Sequence, residues 1–219
     1  MDKLSKILAV WKPKGPTSND VVQQIKRIAG GEKVGHAGTL DPLAEGVLVI
    51  GIGREATKKL SVEVKKEKEY VADIKLGEES TTDDEEGDKE AFNIKTIPIL
   101  KDIEAILPKF TGNIKQIPPI YSAIKIGGRE AYKFARNGEK PLLLERDAEI
   151  KKIEILGYEW PRLELRVVTG PGVYIRALAR DIGKELKTGA YLAGLKRTRV
   201  GDFTEERSLS LEEFKKHYG

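Results

Sequence analysis

The sequence predicts an α+β protein with a mixed, largely antiparallel central sheet flanked by helices. β-prone and amphipathic segments alternate along the 219 residues without the regular strand–helix–strand rhythm of a parallel α/β protein. Hydrophobic residues make up 39% of the chain, which is ordinary for a protein that buries a core. The length suits one large domain.

The first quarter of the chain predicts two strands and one helix. Residues 7–11 are apolar and β-prone, so they predict a strand. Ser18 is suited to cap a helix over residues 18–28, because apolar residues recur there on one face and two glycines follow. Residues 47–50 are continuously apolar, which is typical of a strand buried on both faces.

The rest of the chain predicts further strands and helices in irregular order. Residues 70–76 alternate between apolar and polar, which predicts a strand with one exposed face. Asp102 is suited to cap a short helix that Pro108 would end. Further helices are expected over 128–137 and 173–186 and from Ser210, and further strands over 150–156, 163–168 and 195–200.

Charge is distributed unevenly around a net value of +4. Residues 109–146 contain eight Lys and Arg against three Asp and Glu, whereas residues 63–90 contain twelve acidic and five basic residues. The first segment, the basic lobe, could contact the phosphates of a nucleic acid or could be an ordinary solvated surface. The acidic residues 83–90 predict a loop that faces solvent.

Composition excludes several kinds of site. The absence of cysteine excludes disulfides and thiolate metal sites, and the two histidines, at positions 36 and 217, are far apart in sequence. We therefore expect no metal site. Residues 1–10 carry charges and lack a secretory apolar core, and no run of about 18 apolar residues exists. These observations predict a cytoplasmic protein without a membrane span.

The segment 35–48, GHAGTLDPLAEGVL, places a single carboxylate, Asp41, between glycines and directly before a proline. Glycine permits backbone angles that other residues avoid, and proline disfavours the helical region for the residue before it. Asp41 is therefore expected in an extended, locally fixed loop. Local chemistry alone favours a turn residue that bonds its own backbone.

Six segments, in matching order, resemble motifs of the TruB family of pseudouridine synthases. Residues 35–48 are similar to the signature that carries the family's catalytic Asp. The others are 12–20 for KPxGxTS, 68–87 for KxY…LGxxTxTxDxxG, 116–125 for QxPPxxSAxK, 172–183 for GTYIRxLxxDxG, and 195–198 for the LRRT strand.

The resemblance implies the pseudouridine synthase fold, a long bent mixed sheet with the active site in a central cleft. It implies an isomerase that converts uridine 55 in the T loop of tRNA without cofactor, metal or energy source. We expect a monomer that binds the T-arm stem-loop. Only about twenty residues follow Arg197, too few for the PUA domain of many bacterial members. The expectation is therefore one catalytic domain over 1–219 with no PUA domain.

Three residues are implied as catalytic. Asp41 could attack C1′ or C6, or remove the 2′ proton, and the sequence does not choose among these. Because burial alone would favour its neutral form, a cation must oppose that effect, and the resemblance assigns an ion pair with Arg176. Arg176 could instead bind surface carbonyls. Tyr70 is expected to stack on the flipped uracil and to assist removal of the C5 proton, although a strand tyrosine is more often a core residue.

The resemblance also implies residues that support the site. Tyr174 and Leu195 are expected to line the pocket, and His36 to enter the RNA loop and replace the flipped base. His36 could also be a structural residue. Lys12 and Pro13 are expected to brace the Asp41 loop.

The basic lobe is expected to close over the RNA. Its predicted contacts are Lys125, Arg129, Lys133 and Arg136. One departure from the family pattern is Val173, which stands where the family usually has Thr, and its consequence is left open.

Three other functions remain as alternatives. A guide-RNA-dependent rRNA pseudouridine synthase of the dyskerin-like branch would need a PUA domain and partner proteins. A non-catalytic RNA-binding or tRNA-folding module would not need Asp41, Tyr70 and Arg176. A small-molecule enzyme would leave the basic lobe without a purpose.

Overall fold

A computed structural model describes residues 5–122, 124–139 and 141–219, without the side chain of Arg136. Within these residues it contains six α-helices and thirteen strands. The helices are α1 (Ser18–Ile28), α2 (Arg54–Glu63), α3 (Leu100–Ile106), α4 (Ala131–Arg136), α5 (Ile175–Leu186) and α6 (Leu211–Tyr218). The strands are β1 (Lys6–Lys12), β2 (Val34–Ala37), β3 (Ala44–Ile52), β4 (Lys68–Leu76), β5 (Glu78–Ser80), β6 (Lys89–Ala91), β7 (Gly112–Gln116), β8 (Lys125–Ile126), β9 (Arg129–Glu130), β10 (Arg146–Glu159), β11 (Arg162–Thr169), β12 (Ala190–Val200) and β13 (Phe203–Thr204).

A large mixed sheet with the order β1-β3-β12-β4-β11-β10-β7 confirms the predicted α+β class. Strands β1 and β2 both run antiparallel to β3, and β10 runs antiparallel to β7. Strand β12 runs parallel to β3, with Leu195–Arg197 beside Ala44–Gly46. Strand β2 pairs with the other end of β3, over Val49–Ile52. The loop that follows β2 therefore enters β3 at Ala44, opposite Leu195 of β12.

The chain divides into two compact units. The first comprises the chain up to Val71, Val168–Pro171 and Leu195–Gly219, and the second comprises Ala72–Val167 and Gly172–Gly194. Strands β4 and β12 each contribute to both units. The single catalytic domain over 1–219 stays a prediction.

In the first unit, β3 is buried on both faces, as its continuous apolar sequence predicts. Alternate residues of a strand point to opposite faces, so β3 contributes to two clusters. One cluster contains Leu8, Val10, Val21, Val22, Ile25, Leu48, Ile50, Ile52 and Phe214. The other contains Ala9, Ala37, Val47, Val49, Leu60 and Val200.

In the second unit, strand β4 continues with alternate residues buried, as predicted. Helix α5 is the most buried helix of this unit, with Ala177, Leu178, Ala179 and Ile182 inaccessible to solvent. It packs near α3, whose Ile103 is also fully buried.

The N-caps of two helices differ from the sequence prediction. Thr17, not Ser18, is the N-cap of α1, because its side chain accepts the Asp20 amide while Asp20 reaches back to the Thr17 amide. Asp102 lies inside α3, where its carboxylate accepts the Ile99 amide (2.9 Å). Both aspartates occupy the third helical position, from which a carboxylate reaches the amide before the helix.

Helix α2 and strand β2 are not predicted by the sequence pattern. Only Ala56 and Leu60 of α2 are buried, so the helix carries no continuous apolar stripe. Strand β2 has four residues and includes Gly35, a residue that disfavours strands. Both elements form because they pack against β3.

None of the helices in the described part of the chain is long and apolar enough to cross a bilayer.

Candidate active site

Asp41 lies in the loop between β2 and β3, outside any helix or strand, and is half-buried. The prediction that Asp41 lies in a loop is therefore confirmed. The Ala44 amide donates to the Asp41 carbonyl (3.1 Å), so the backbone also makes a turn here. This turn leads the chain from the loop directly into β3.

The segment after β1 is bonded to the backbone that follows Asp41. Lys12 is fully buried, and its Nζ donates to the carbonyls of Ala44 (2.6 Å) and Pro13 (3.0 Å). The Gly15 amide donates to the Pro42 carbonyl (2.8 Å). Pro13 itself is exposed. Lys12 thus bonds the backbone just after the Asp41 loop, which is the position that bracing of this loop requires.

Ser18 holds the residue before Asp41 and was missed by the sequence analysis as a site residue. Its buried hydroxyl donates to the Leu40 carbonyl (2.9 Å) and accepts from the Leu40 amide (2.8 Å). The sequence signal for this role is the position of Ser18 in the KPxGxTS motif. A serine at this position is also typical of a helix cap, which is the role that the pattern predicts. Backbone bonds therefore flank Asp41 on both sides.

Arg197 is a second residue that sequence reasoning missed. It lies on β12, is 1% exposed, and donates from Nε to the Val47 carbonyl (2.8 Å) and from Nη2 to the Gly38 carbonyl (3.0 Å). Its guanidinium also interacts electrostatically with the Tyr70 side chain. Burial lowers the pKa of Arg197, and Tyr70 opposes that shift. One guanidinium therefore connects both ends of the Asp41 loop to Tyr70.

Tyr70 lies on β4 with 7% of its surface exposed. Burial of this kind suits both sequence interpretations, a core residue and a platform for a base. Tyr70 therefore lies beside the guanidinium that bonds the Gly38 carbonyl of the Asp41 loop. Leu195, on β12, lies opposite Ala44 in the parallel register and is half-buried.

His36 and Lys68 lie near Arg197 and are both shifted toward their neutral forms. Burial, and secondarily the Arg197 charge, lowers the pKa of His36. The His36 Nδ1 has no hydrogen-bond partner among the described residues. The Lys68 ammonium donates to the carbonyls of Val64 and Lys66 (both 2.8 Å), and burial, with Arg197, lowers its pKa to about 8.

In the second unit, Arg176 lies in the first turn of α5 and is 6% exposed. Its Nη1 forms an ion pair with Asp84 (3.2 Å) and donates to the Thr82 carbonyl (3.3 Å), while Nη2 donates to the Tyr121 carbonyl (2.8 Å). Arg176 is thus buried, and it binds a carboxylate together with two carbonyls.

The expected solvent-facing loop over 83–90 is wrong at its first two residues. Asp84 is 3% exposed, and Asp83 pairs with Arg180 (3.0 Å). Buried carboxylates of this kind are stabilised by cations that lie far away in the sequence. The local composition therefore does not indicate that these carboxylates are buried.

Tyr174 occupies the N-cap position of α5 and is half-buried. Its backbone amide and carbonyl both bond to the Gln116 side chain (3.0 Å each). Gln116 is the first residue of the QxPPxxSAxK motif and thereby fixes the start of α5.

The basic lobe places its predicted RNA contacts on a small hairpin and a short helix. Lys125 on β8 is exposed. Arg129 on β9 donates to the Lys133 carbonyl (3.1 Å), and Lys133 pairs with Glu130 (2.8 Å), whose hydrogen bond raises the pKa of Lys133. Arg136 ends α4, and its side chain lies outside the described part of the chain.

The first unit therefore gathers Asp41, Tyr70, His36, Leu195 and Lys12. The second unit contains Arg176, Tyr174 and the basic lobe. The ion pair between Asp41 and Arg176 stays a prediction. Over the described ranges, no cluster of His, Asp and Glu side chains is arranged to hold a metal ion.

Comparison with known protein families decides the family of this chain. Residues 26–175 match the profile of the TruB family pseudouridylate synthase, N-terminal domain. The chain belongs to the TruB family. Residues 176–219 match the tRNA pseudouridylate synthase B C-terminal domain, so both parts of the TruB match adjoin within α5.

Relatives of this TruB family chain are similar over most of their length. The tRNA pseudouridine synthase B of Thermobifida fusca is 41% identical over 94% of this chain and 73% of its own length. That of Mycobacteroides abscessus is 44% identical over 97% and 73%. That of Parabacteroides distasonis is 44% identical over 94% and 90%.

Solved structures agree with the TruB assignment. A chain in a crystal structure of a Cbf5–Nop10–Gar1 complex is 33% identical, with a TM-score of 0.76, over 99% of this chain and 55% of its own length. A pseudouridylate synthase with 15% identity and a TM-score of 0.50 shares the fold.

Proposed function

We propose that this chain converts uridine 55 in the T loop of tRNA to pseudouridine. The observation that carries the proposal is the Asp41 loop. It has the sequence of the TruB catalytic signature, and hydrogen bonds to Leu40, Pro42 and Ala44 hold its backbone. The tRNA substrate is supported by relatives named tRNA pseudouridine synthase B.

The reaction is an isomerisation, in which no atom of the nucleoside is gained or lost except the exchanged C5 proton. The bond between N1 and C1′ breaks, the uracil turns, and a bond between C5 and C1′ forms. The proton on C5 then leaves to solvent, and N1, freed from the sugar, takes up a proton, so the composition of the nucleoside is unchanged. In this proposal Asp41 acts as the carboxylate, either as a nucleophile at C1′ or C6 or as a base for the 2′ proton.

Each role requires Asp41 to be ionised inside a site from which water is excluded. Burial favours the neutral carboxyl, so a nearby cation has to stabilise the charge. The family resemblance assigns this cation to Arg176, which is itself buried and already bonded to Asp84. An ion pair between Asp41 and Arg176 is therefore part of the proposed mechanism.

The remaining roles concern the flipped base. Tyr70 stacks on the uracil and assists removal of the C5 proton, and Tyr174 and Leu195 line the pocket. His36 enters the RNA loop in place of the base. Its lowered pKa supports this role, because a neutral imidazole stacks in a base-sized space without the cost of burying a charge.

Binding of the T-arm is assigned to the basic lobe, with Lys125, Arg129, Lys133 and Arg136 near the phosphates. The enzyme acts as a cytoplasmic monomer. Guide-RNA-dependent synthesis is the second candidate, because a chain of a Cbf5–Nop10–Gar1 complex is similar over 99% of this chain. The higher identity to tRNA pseudouridine synthase B, 44% against 33%, favours tRNA.

Tritium release tests the proposal directly. Unmodified tRNA transcripts labelled at C5 of uridine are incubated with the purified protein alone, and with the Asp41→Asn variant. We expect release from the normal transcript by the wild type only, and none from a transcript with cytidine at position 55. Tight tRNA binding without release, or equal release by Asp41→Asn, would refute the catalytic assignment.

A further inference from the structure

Helix α5 carries a second, half-buried arginine one turn after Arg176. Each of the three guanidinium nitrogens of Arg180 binds a different part of the chain. Nη1 pairs with Asp83 (3.0 Å), Nη2 donates to the Ile117 carbonyl (2.8 Å), and Nε pairs with Asp181 (2.9 Å). Arg180 therefore joins the helix, the segment after β5 and the segment after β7.

Arg176 and Arg180 make parallel connections, because residues four apart lie on one face of a helix. Arg176 joins Asp84 to the Tyr121 carbonyl, and Arg180 joins the adjacent Asp83 to the Ile117 carbonyl. Both arginines therefore bond the same two segments to α5.

Residues 116–121 lead the chain into the hairpin and helix of the basic lobe, and we call them the root segment. It is bonded to α5 or its N-cap through Gln116, Ile117 and Tyr121. Between the last two lie Pro118 and Pro119, which have no amide to donate and a restricted backbone. The root segment is therefore a stiff piece of chain held at both ends.

Only the first of these two connections is made by residues that the family motifs specify. Arg176 and Asp84 occupy fixed positions of the motifs GTYIRxLxxDxG and LGxxTxTxDxxG, whereas Arg180 and Asp83 occupy positions that these motifs leave open.

Asp83 is held in an unusual backbone conformation. Its φ is +61°, in the left-handed region that few residues other than glycine adopt. Its side chain is 17% exposed and that of Arg180 is 28% exposed. An ordinary surface pair, such as Arg162–Asp73 with side chains 53% and 46% exposed, carries no such constraint.

We propose that Arg180, paired with Asp83, is a positioning residue that sets the root of the basic lobe in the orientation that receives RNA. The proposal rests on the proposed function, since it takes the lobe to contact tRNA. Without Arg180 the root segment loses its bond at Ile117, and the lobe occupies more orientations. RNA binding then selects the competent fraction, which weakens affinity. Arg176 keeps its own contacts, so the chemical step at saturating enzyme is retained.

The test compares Arg180→Ala, Asp83→Asn and their double variant with the matched surface variant Arg162→Ala. Filter binding gives the affinity for a T-arm stem-loop at fixed salt, and single-turnover tritium release at saturating enzyme gives the rate. We expect both single variants to lose affinity by at least about fivefold, and the double variant to lose no more than either. Their rates stay within about twofold of the wild type, and Arg162→Ala changes neither quantity.

Unchanged affinity in Arg180→Ala, a rate loss without an affinity loss, or effects that multiply in the double variant would each overturn the positioning role. A wild type that binds the stem-loop but releases no tritium would overturn the proposed function, while the affinity comparison would still decide the role of Arg180. Absence of any RNA binding by the wild type would overturn both.

Discussion

At the residue scale, Gly46 shows why the Asp41 signature contains a glycine after the aspartate. Its φ is +124°, and a Cβ there would lie 2.2 Å from the Arg197 carbonyl oxygen and 2.6 Å from the Arg197 nitrogen. Strands β3 and β12 approach closely at this point, where Arg197 also bonds to Val47. The glycine therefore permits the contact that brings Arg197 to the Asp41 loop.

Gly46→Ala is expected to lower the free energy of unfolding by at least about 3 kcal/mol, because the methyl group meets backbone atoms that cannot rotate away. Gly15→Ala is the matched control. Its φ of +110° is similar, but nothing lies within 4 Å of the added Cβ, so only backbone strain of about 1–2 kcal/mol is expected. Urea unfolding measures both, and equal losses would contradict the steric explanation.

Residue identities predict some of the site and not the rest. The loop conformation of Asp41 follows from its glycines and proline, which act locally. The burial of Arg197 and Asp84 does not, because the carbonyls that bond Arg197 and the cation that pairs with Asp84 lie more than 90 positions away in the sequence. Local charge patterns favour exposure for such residues, and only tertiary contacts reverse it.

At the element scale, the start of α1 divides two tasks between neighbouring residues. Thr17 caps the helix, and Ser18 bonds the backbone of Leu40 beside Asp41. The sequence predicts a helix start at this position because both residues are good caps. It does not distinguish the cap from the loop contact, since the distinction depends on which hydroxyl faces the Asp41 loop.

Ser18→Ala is expected to reduce the single-turnover rate roughly ten- to hundredfold, since Leu40 loses its partner and the Asp41 carboxylate is less well placed. Thr17→Ala is expected to cost about 1 kcal/mol of stability with no change of rate at a temperature where both variants are folded. Tritium release and thermal unfolding give the two quantities. A rate unaffected by Ser18→Ala would show that the Leu40 contact is dispensable for catalysis.

At the scale of the whole molecule, buried Lys68 connects proton binding to the stability of the fold. Burial and Arg197 lower its pKa from 10.5 to about 8, while its ammonium holds the carbonyls at the end of α2. Between these two pH values the unfolded chain binds more protons than the folded chain. The free energy of unfolding therefore rises with pH across this window, and the contribution is lost as pH falls through it.

Lys68→Met is expected to remove this dependence. Relative to the variant, the wild type should gain up to about 3 kcal/mol of stability from about pH 8 to about pH 10.5. Urea unfolding at several pH values measures the difference. Lys65→Met, at an exposed lysine nearby, is the control, and the same slope in both variants would contradict the assignment to Lys68.

The sequence by itself determined the α+β class, the six longest strands, five of the six helices, the family motifs and the loop that carries Asp41. These features depend on periodicity, on turn residues and on motif order, all of which are local. Only the tertiary structure decided that Ser18 and Lys12 hold the loop, that Arg197 joins it to Tyr70, and that α5 fastens the root segment twice. Such contacts depend on the close approach of distant strands and on the burial of charge, which no local pattern encodes.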